Sequence, residues 1–326
     1  MNTTPHILGY NTHLFGGTEV ERVKKLQDGW QKFKSSFSIS NWFLKKNSSE
    51  IGKDAIEYHD NIRINEIINQ VNNQAPNIVA LSEVWSNKSK ERFISELKSQ
   101  LPYYAWDENK NQFQIGSGLL LLSRFPLSPL SNRYFTRYHP GSLVGDDKLS
   151  QKGFILATAD LGAQKLLIAH THTQADDDKK AIEARKSNLL QLQNAISQAA
   201  DNSMPAILLG DLNVIGEESG TPTKEYEFLC EILKPLQMTD SYRTLHPNAT
   251  SAPGYTYDAV NNKLIARFAS KDAKNKVKQR LDYMFVRGIT PTSVTVPNSF
   301  TFDPPYGKGT TDLSDHYPLE GNFSIP

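Results

Sequence analysis

Cysteine is almost missing from this 326-residue chain, where Cys230 stands alone. No intrachain disulfide can form, and no cluster of thiolates exists to hold structural zinc or an iron–sulfur centre. In "YEFLCEIL" the cysteine reads as a helix residue turned towards a core. A dominant charge is missing too: 36 Lys+Arg stand against 35 Asp+Glu, a formal net charge of +1. No global field therefore draws the protein to nucleic acid or to an acidic membrane, although a local basic cleft is compatible with that total.

Long apolar runs are absent as well. None approaches the ~18 residues needed to cross a bilayer. The start, "MNTTPHILGYN", has neither a basic n-region nor an apolar h-region, so no signal peptide is legible and the chain reads as entering its first strand almost at once. Neither a Gly-rich phosphate loop ending in Lys-Ser/Thr nor a G-x-S-x-G elbow occurs. That removes P-loop nucleotide hydrolysis and nucleophile-elbow serine hydrolysis. There is no tandem repeat and no low-complexity tract. With 38% hydrophobic and 22% charged residues, the composition is that of a folded globular protein.

What is present is a series of short apolar runs that end in polar residues: "HILGYN", "NIVALSEVW", "GSGLLLLSR", "GFILATADL", "KLLIAHTHT", "MPAILLGDLN", "RLDYMFV" and "YPLEGNF". Several are apolar on both faces, which marks strands buried between layers. Amphipathic helical patterns lie between them. "DAIEYHDNIRINEIINQVNN" gathers Ile56, Ile64, Ile67, Ile68 and Val71 on one side, "SKERFISELKSQL" follows a capping Ser89, and "DKKAIEARKSNLLQLQNAISQAA" and "TKEYEFLCEILKPL" complete the set. The run "GFILATADLGAQKLLIAHTHT" reads as a hairpin. Hairpins mixed with strand–helix alternation predict a layered α/β or α+β sandwich rather than a doubly wound parallel sheet. No linker is visible, so residues 1–326 are expected to form one domain. Residues 29–53 hold Trp30, Phe33, Phe37, Trp42 and Phe43 among lysines and read as an aromatic-rich insertion that covers the core or touches lipid.

The polar residues at the strand ends form the chemical signal. Asn11 follows "ILGY", Glu83 follows "IVALS", His172 lies in "IAHTHTQA", Asp211 and Asn213 follow "AILLG", Asp282 stands inside "QRLDYMFV", and Asp315 and His316 precede "YPLEGNF". Each alone has a bland reading, as a solvated strand end or a turn. His170 and His172 are expected on opposite faces of their strand, with at most one facing a site. Asp282 is harder to dismiss, because a buried carboxylate needs a partner, and His316 is the natural one. Glu and Asn oxygens suit Mg²⁺, which takes few protein ligands and keeps waters for a phosphate. Arg124 in "LLSRFP" is expected to brace a strand end by pairing with a carboxylate.

In this order, "YN", "SEVW", "LLSRFP", "GDLN", "RLDYMFV" and "SDHYPL" resemble the blocks of the endonuclease/exonuclease/phosphatase superfamily. Within it, "KGF", "THTQADDD" and "GYTYDAVNNKLIARF" are most similar to bacterial neutral sphingomyelinases, with Tyr257 where tryptophan is usual. The resemblance implies an α+β class, a four-layer α/β/β/α sandwich of two mostly antiparallel mixed sheets with flanking helices. It implies a metal-dependent phosphodiesterase that cleaves sphingomyelin or a related choline phospholipid to ceramide and phosphocholine. Mg²⁺ is the implied cofactor, with Mn²⁺ or Co²⁺ able to stand in its place. Glu83 is the implied metal ligand with Asn11 nearby, and Asn87 is the ligand of a peripheral ion or else a helix cap. The implied catalytic residues are His316 with Asp282, His172, Asp211, Asn213 and Asp315. The implied partner is a phospholipid at a membrane surface, with no nucleic acid and no protein partner, in a monomeric virulence factor secreted or delivered to a host membrane, the illegible signal peptide leaving a cytoplasmic location as the alternative. The family's aromatic hairpin before the last S-D-H has no tryptophan in "NSFTFDPPYGKGTTDLSDH", and the stretch Trp30–Phe43 is its expected substitute. A nuclease or phosphoinositide phosphatase on the same scaffold, and an inactive binding module or toxin subunit, are the alternative readings.

Overall fold

The computed structural model describes residues 4–14, 53–106, 116–136, 152–267, 271–304 and 309–325. The aromatic-rich segment lies outside them except for its last residue. In chain order the main elements are β1 (His6–Leu14), α1 (Lys53–Gln74), β2 (Ile78–Val84), α2 (Asn87–Leu97), β3 (Tyr103–Trp106), β4 (Leu120–Ser123), β5 (Leu127–Tyr134), β6 (Gly153–Asp160), β7 (Lys165–His172), α3 (Lys179–Ala199), β8 (Ala206–Asp211), α4 (Lys224–Leu233), β9 (Thr239–Asp240), α5 (Ser241–Leu245), β10 (Tyr257–Asp258), β11 (Lys278–Gln279), β12 (Asp282–Arg287), β13 (Thr290–Thr295) and β14 (Leu319–Ser324).

Two six-stranded sheets carry the fold, in the orders β13-β14-β1-β2-β4-β3 and β9-β12-β8-β7-β6-β5. Only β1–β2 and β7–β8 pair in parallel within these sheets; every other pairing in them is antiparallel. The strand period of two divides the apolar residues between layers. Ile168, Ile207, Leu209, Met284 and Val286 meet Ile7, Ile78, Ala80, Leu319 and Phe323 between the sheets. The alternate residues Leu167, Ala169 and Leu208 pack under α3 and α4, and Leu8, Val79 and Leu81 pack under α1 and α2. The result is the α/β/β/α sandwich, and the strands that read as apolar on both faces are those with a layer on each side.

Details differ from the sequence reading. The cap of α2 is Ser86, whose Oγ accepts from the Ser89 N–H at 3.4 Å, so Ser89 is the donor and not the cap. His170 and His172 share a face, because positions two apart on a strand point the same way. His170 lies between the sheets, its Nε2 2.9 Å from the Leu81 carbonyl oxygen, and burial lowers its pKa. Arg124 is exposed, and no carboxylate among the described residues pairs with it. Phe300 and Phe302 are buried, with Phe300 edge-on to Tyr10 at 5.2 Å, which removes both from any lipid-facing role.

Candidate active site

The inner faces of the strands end in polar residues at one end of the sandwich. On the second sheet His172 is registered with Asp211, and Asp211 with Asp282, across three neighbouring strands. They continue the inward rows of Ile168, Leu209 and Met284, so the period that builds the core also aims these three side chains. Gly210 lets β8 approach β7 closely: it takes φ +133°, and a Cβ there would lie 2.0 Å from the Thr171 carbonyl oxygen.

On the first sheet Asn11 extends the inward row of β1, but Glu83 does not follow its strand's alternation. Ile78 and Ala80 point inward while Val79 and Leu81 point to the helices, so simple alternation would turn Glu83 outward. Its backbone instead takes φ 59°, a left-handed conformation rare for a residue with a side chain. The carboxylate is thereby brought to the site, where Oε1 accepts from the Asn11 amide nitrogen at 3.2 Å. The same nitrogen donates to Asp211 Oδ2 at 3.0 Å. His13 and Asn213 also have positive φ, 50° and 49°; asparagine and histidine adopt this region more readily than glutamate does.

Asp315 and His316 enter from the loop before β14. His316 Nδ1 stands 2.7 Å from Asp282 Oδ2, and its Nε2 is 3.9 Å from Asp211 Oδ2. His172 Nε2 lies 3.5 Å from Asp211 Oδ2 and 3.9 Å from Glu83 Oε1. Asn213 donates from its backbone N–H to Asp211 Oδ1 at 2.8 Å and from its side chain to the Thr173 carbonyl at 3.1 Å. The structure thus brings Asn11, Glu83, His172, Asp211, Asn213, Asp282, Asp315 and His316 to one place. Asn87 stands apart in role: it is the first residue of α2, Ser86 is the cap, and the buried Oδ1 of Asn87 has no hydrogen-bond partner.

The charges are set by burial and neighbours. Burial would raise Glu83, but the hydrogen bond and charge of His13, with His172 and Lys152 adding, hold it well below the usual carboxylate range. Asp211 is pushed up to about 7 by burial and by the charge of Asp282. Burial works against a charged His316, yet Asp282, by charge and by hydrogen bond, raises it to about 10. His172 falls well below its ordinary value through burial and the neighbouring Lys152. Asp211, Asp282 and His316 are all buried and bring one ligand-type atom each within 4.8 Å of the others, a group able to hold a metal.

Two further side chains stand in the mouth. His13 places Nδ1 3.2 Å from Asp315 Oδ2 and 3.4 Å from Glu83 Oε2. Nothing in "NTHLF" separates it from an ordinary strand-end histidine. Lys152 puts its ammonium 2.8 Å from His172 Nε2 and over the Trp85 ring. Its signal was present in "KGF", a lysine set directly before a strand buried up to its last residue.

The family model for the endonuclease/exonuclease/phosphatase family matches residues 57–316. The chain belongs to that family. As a member it is a phosphoric diester hydrolase, and the sandwich described above is the family's fold. Among its relatives are a phospholipase C of Staphylococcus aureus, 25% identical over 267 residues and 74% of each chain, and a sphingomyelinase C of Bacillus cereus, 24% identical over 288 residues, 76% of this chain and 78% of that one. The solved structure of the beta toxin of Staphylococcus aureus, a double mutant with bound magnesium ions, superposes with a TM-score of 0.66 at 16% identity, covering 99% of this chain and 100% of that one. The strand-end residues lie within the matched region except Asn11, which β1 contributes from before it. No helix of the described residues is long and apolar enough to cross a membrane.

Proposed function

We propose that this family member is a Mg²⁺-dependent phosphodiesterase that hydrolyses sphingomyelin, or a related choline phospholipid, to ceramide and phosphocholine at a membrane surface. One observation carries the reading: an ionised Glu83, linked to Asp211 through the Asn11 amide, and an Asp282–His316 pair beside the same Asp211 share one buried mouth. That is the arrangement an attack on phosphorus needs, with a cation on one flank and a base on the other.

The residues fit a hard divalent cation. The donors are carboxylate and amide oxygens, the set Mg²⁺ prefers, and the unpartnered buried oxygen of Asn87 is of the same kind. Glu83 would hold the ion with Asn11 beside it, and Asn87 a peripheral one. In the present arrangement the Asn11 oxygen accepts from the His13 N–H at 3.2 Å, so its amide nitrogen orders Glu83 and Asp211. A divalent cation bound there would supply a Lewis acid for a phosphoryl oxygen, and its positive charge would oppose the pull of Asp282, Asp211 and Asp315 on His316.

In the proposed reaction His316, oriented by Asp282, takes a proton from a water as the water oxygen bonds to phosphorus. His172, its Nε2 held by the Lys152 ammonium, lines the phosphoryl side of the mouth, and the free amide proton of Asn213 donates to the charge gathering there. The bond from phosphorus to the ceramide oxygen breaks, and Asp211, whose carboxyl burial and the charge of Asp282 hold above the usual carboxylate range, returns a proton to that oxygen. Asp315 steadies the mouth through His13. A monomer delivered to an accessible membrane, with neither nucleic acid nor protein partner required, is the setting that matches this chemistry.

The test is a headgroup-release assay on a panel of phospholipids with and without Mg²⁺. Phosphocholine release from sphingomyelin that disappears on chelation supports the reading. Cleavage of plasmid DNA or phosphoinositides with none of sphingomyelin overturns it.

A further inference from the structure

The bend that places Asn11 leaves backbone groups to be satisfied. From Asn11 to Leu14 β1 takes three steps while its partner β2 takes two, from Ser82 to Val84. Such a bulge re-aims a side chain and takes nearby carbonyls out of the regular ladder. Buried carbonyls left without donors are costly.

Arg63, on α1 and 2% exposed, supplies the donors. Nη1 donates to the His13 carbonyl at 2.9 Å and Nη2 to the Thr12 carbonyl at 2.5 Å. Nε turns the other way and donates to the Leu313 carbonyl at 2.7 Å. Asp60, one helical turn earlier, steadies the guanidinium with Oδ1 3.4 Å from Nη1. Ser314 adds a parallel tie, its Oγ donating to the Asn11 carbonyl at 2.7 Å. Every carbonyl that Arg63 holds therefore lies within two residues of Asn11, or two or three residues before Asp315 and His316.

We propose that Arg63 is a positioning residue of the phosphodiester site. Its rigid fork fixes the spacing between the β1 bulge, which presents Asn11 beside Glu83, and the loop that presents Asp315 and His316. This rests on reading that mouth as the reacting centre. A lysine cannot reproduce it, because a point ammonium does not span carbonyls of two segments in fixed planar geometry. Arg287 is the natural control. It is also buried and also donates to backbone carbonyls, those of Asp201, Met204 and Leu236 at 3.0, 3.0 and 3.1 Å, but it stands at the end of β12 remote from Asp282.

The experiment compares Arg63→Lys with Arg287→Lys in the full chain. For Arg63→Lys, kcat for headgroup release is expected to fall about 10²-fold, the scale of a small misplacement of reacting groups, with KM within about threefold of wild type. Amide exchange of residues 11–14 and 313–316 should quicken by about tenfold or more, while the strand interiors stay protected. Arg287→Lys should lose stability and keep kcat. Unchanged kcat and exchange in Arg63→Lys, or an equal loss of kcat in Arg287→Lys at matched stability, overturns the proposal. If the wild type releases no headgroup from any diester, the functional reading fails. The exchange comparison then decides the clamp by itself: local quickening supports it and unchanged exchange refutes it.

Discussion

His316 Nδ1 and Asp282 Oδ2 stand 2.7 Å apart although their residues are 34 positions apart in the chain. The strand supplies the carboxylate and the terminal loop brings the imidazole to it. With Nδ1 engaged, Nε2 is the nitrogen left to work on a substrate, so the carboxylate selects which end of the ring does the chemistry. Replacing His316 by Ala, or Asp282 by Asn, is expected to lower kcat by about 10²–10⁴-fold, the range for loss of a positioned general base. Steady-state turnover, measured on protein whose circular dichroism matches wild type, checks this. Near-normal rates in both variants would remove the pair from the mechanism.

Glu83 sets a different expectation. Its strained backbone serves to present an ionised carboxylate, so Glu83→Gln should fold normally and bind the cation less well. Half-maximal Mg²⁺ is expected to rise by about 10-fold or more, which corresponds to roughly 1.4 kcal/mol. Calorimetric titration of Mg²⁺ reads this without any turnover. An isotherm superimposable on wild type would exclude Glu83 as a ligand.

A third expectation concerns acid stability away from the site. Glu217 receives Arg243 Nε and Arg280 Nη2, each at 2.7 Å. Burial would raise its pKa, but the bonds from the two arginines outweigh this and lower it below the ordinary 4.5. A carboxyl depressed in the folded state stabilises the fold above its unfolded value and loses that contribution as pH falls through the folded one. Urea midpoints of wild type and Glu217→Gln should therefore differ at neutral pH and converge progressively below about pH 4.5. A gap that keeps its size in acid would show that shape rather than charge is what matters there.

Gly210 gives a structural prediction with a functional consequence. A methyl group at this position meets the Thr171 carbonyl at 2.0 Å, so Gly210→Ala must push β8 from β7 just before Asp211. A loss of about 1–3 kcal/mol is expected, together with reduced turnover from the displaced carboxylate. Unfolding by urea measures the first and headgroup release the second. Wild-type stability in this variant would mean that the strands separate freely.

The layers were legible because a residue pattern with period two and a layer on each side leaves few alternatives. β3, β5 and β13 were missed at the sheet edges: "LSPLSNRY" and "TPTSVT" carry Pro and Ser and lose the apolar signature, while "YYAW" is short and exposes both its tyrosines. The strand-end residues were legible as a set because Asn11, Glu83, His172 and Asp211 follow their strands while Asp282, Asp315 and His316 begin or precede antiparallel neighbours, which puts all of them at one end of the sandwich. The inward turn of Glu83 was not legible, because it depends on a left-handed backbone that no residue type announces. Nor was Arg63, whose partners are backbone carbonyls and so leave no trace in side-chain identity. His170 and His172 carry a plainer lesson: the strand period itself places them on one side.

β1 and β14 lie next to each other, with Gly9 registered against Leu319, so the first strand is completed by the last. Ser314 reaches the Asn11 carbonyl across 303 positions of chain, so the mouth is assembled by contacts that close some of the longest loops in the fold, and long-range pairing of this kind is slow to form. A hydrolase wired this way gains its reacting centre only from distant segments meeting, and no local stretch of chain can form it alone.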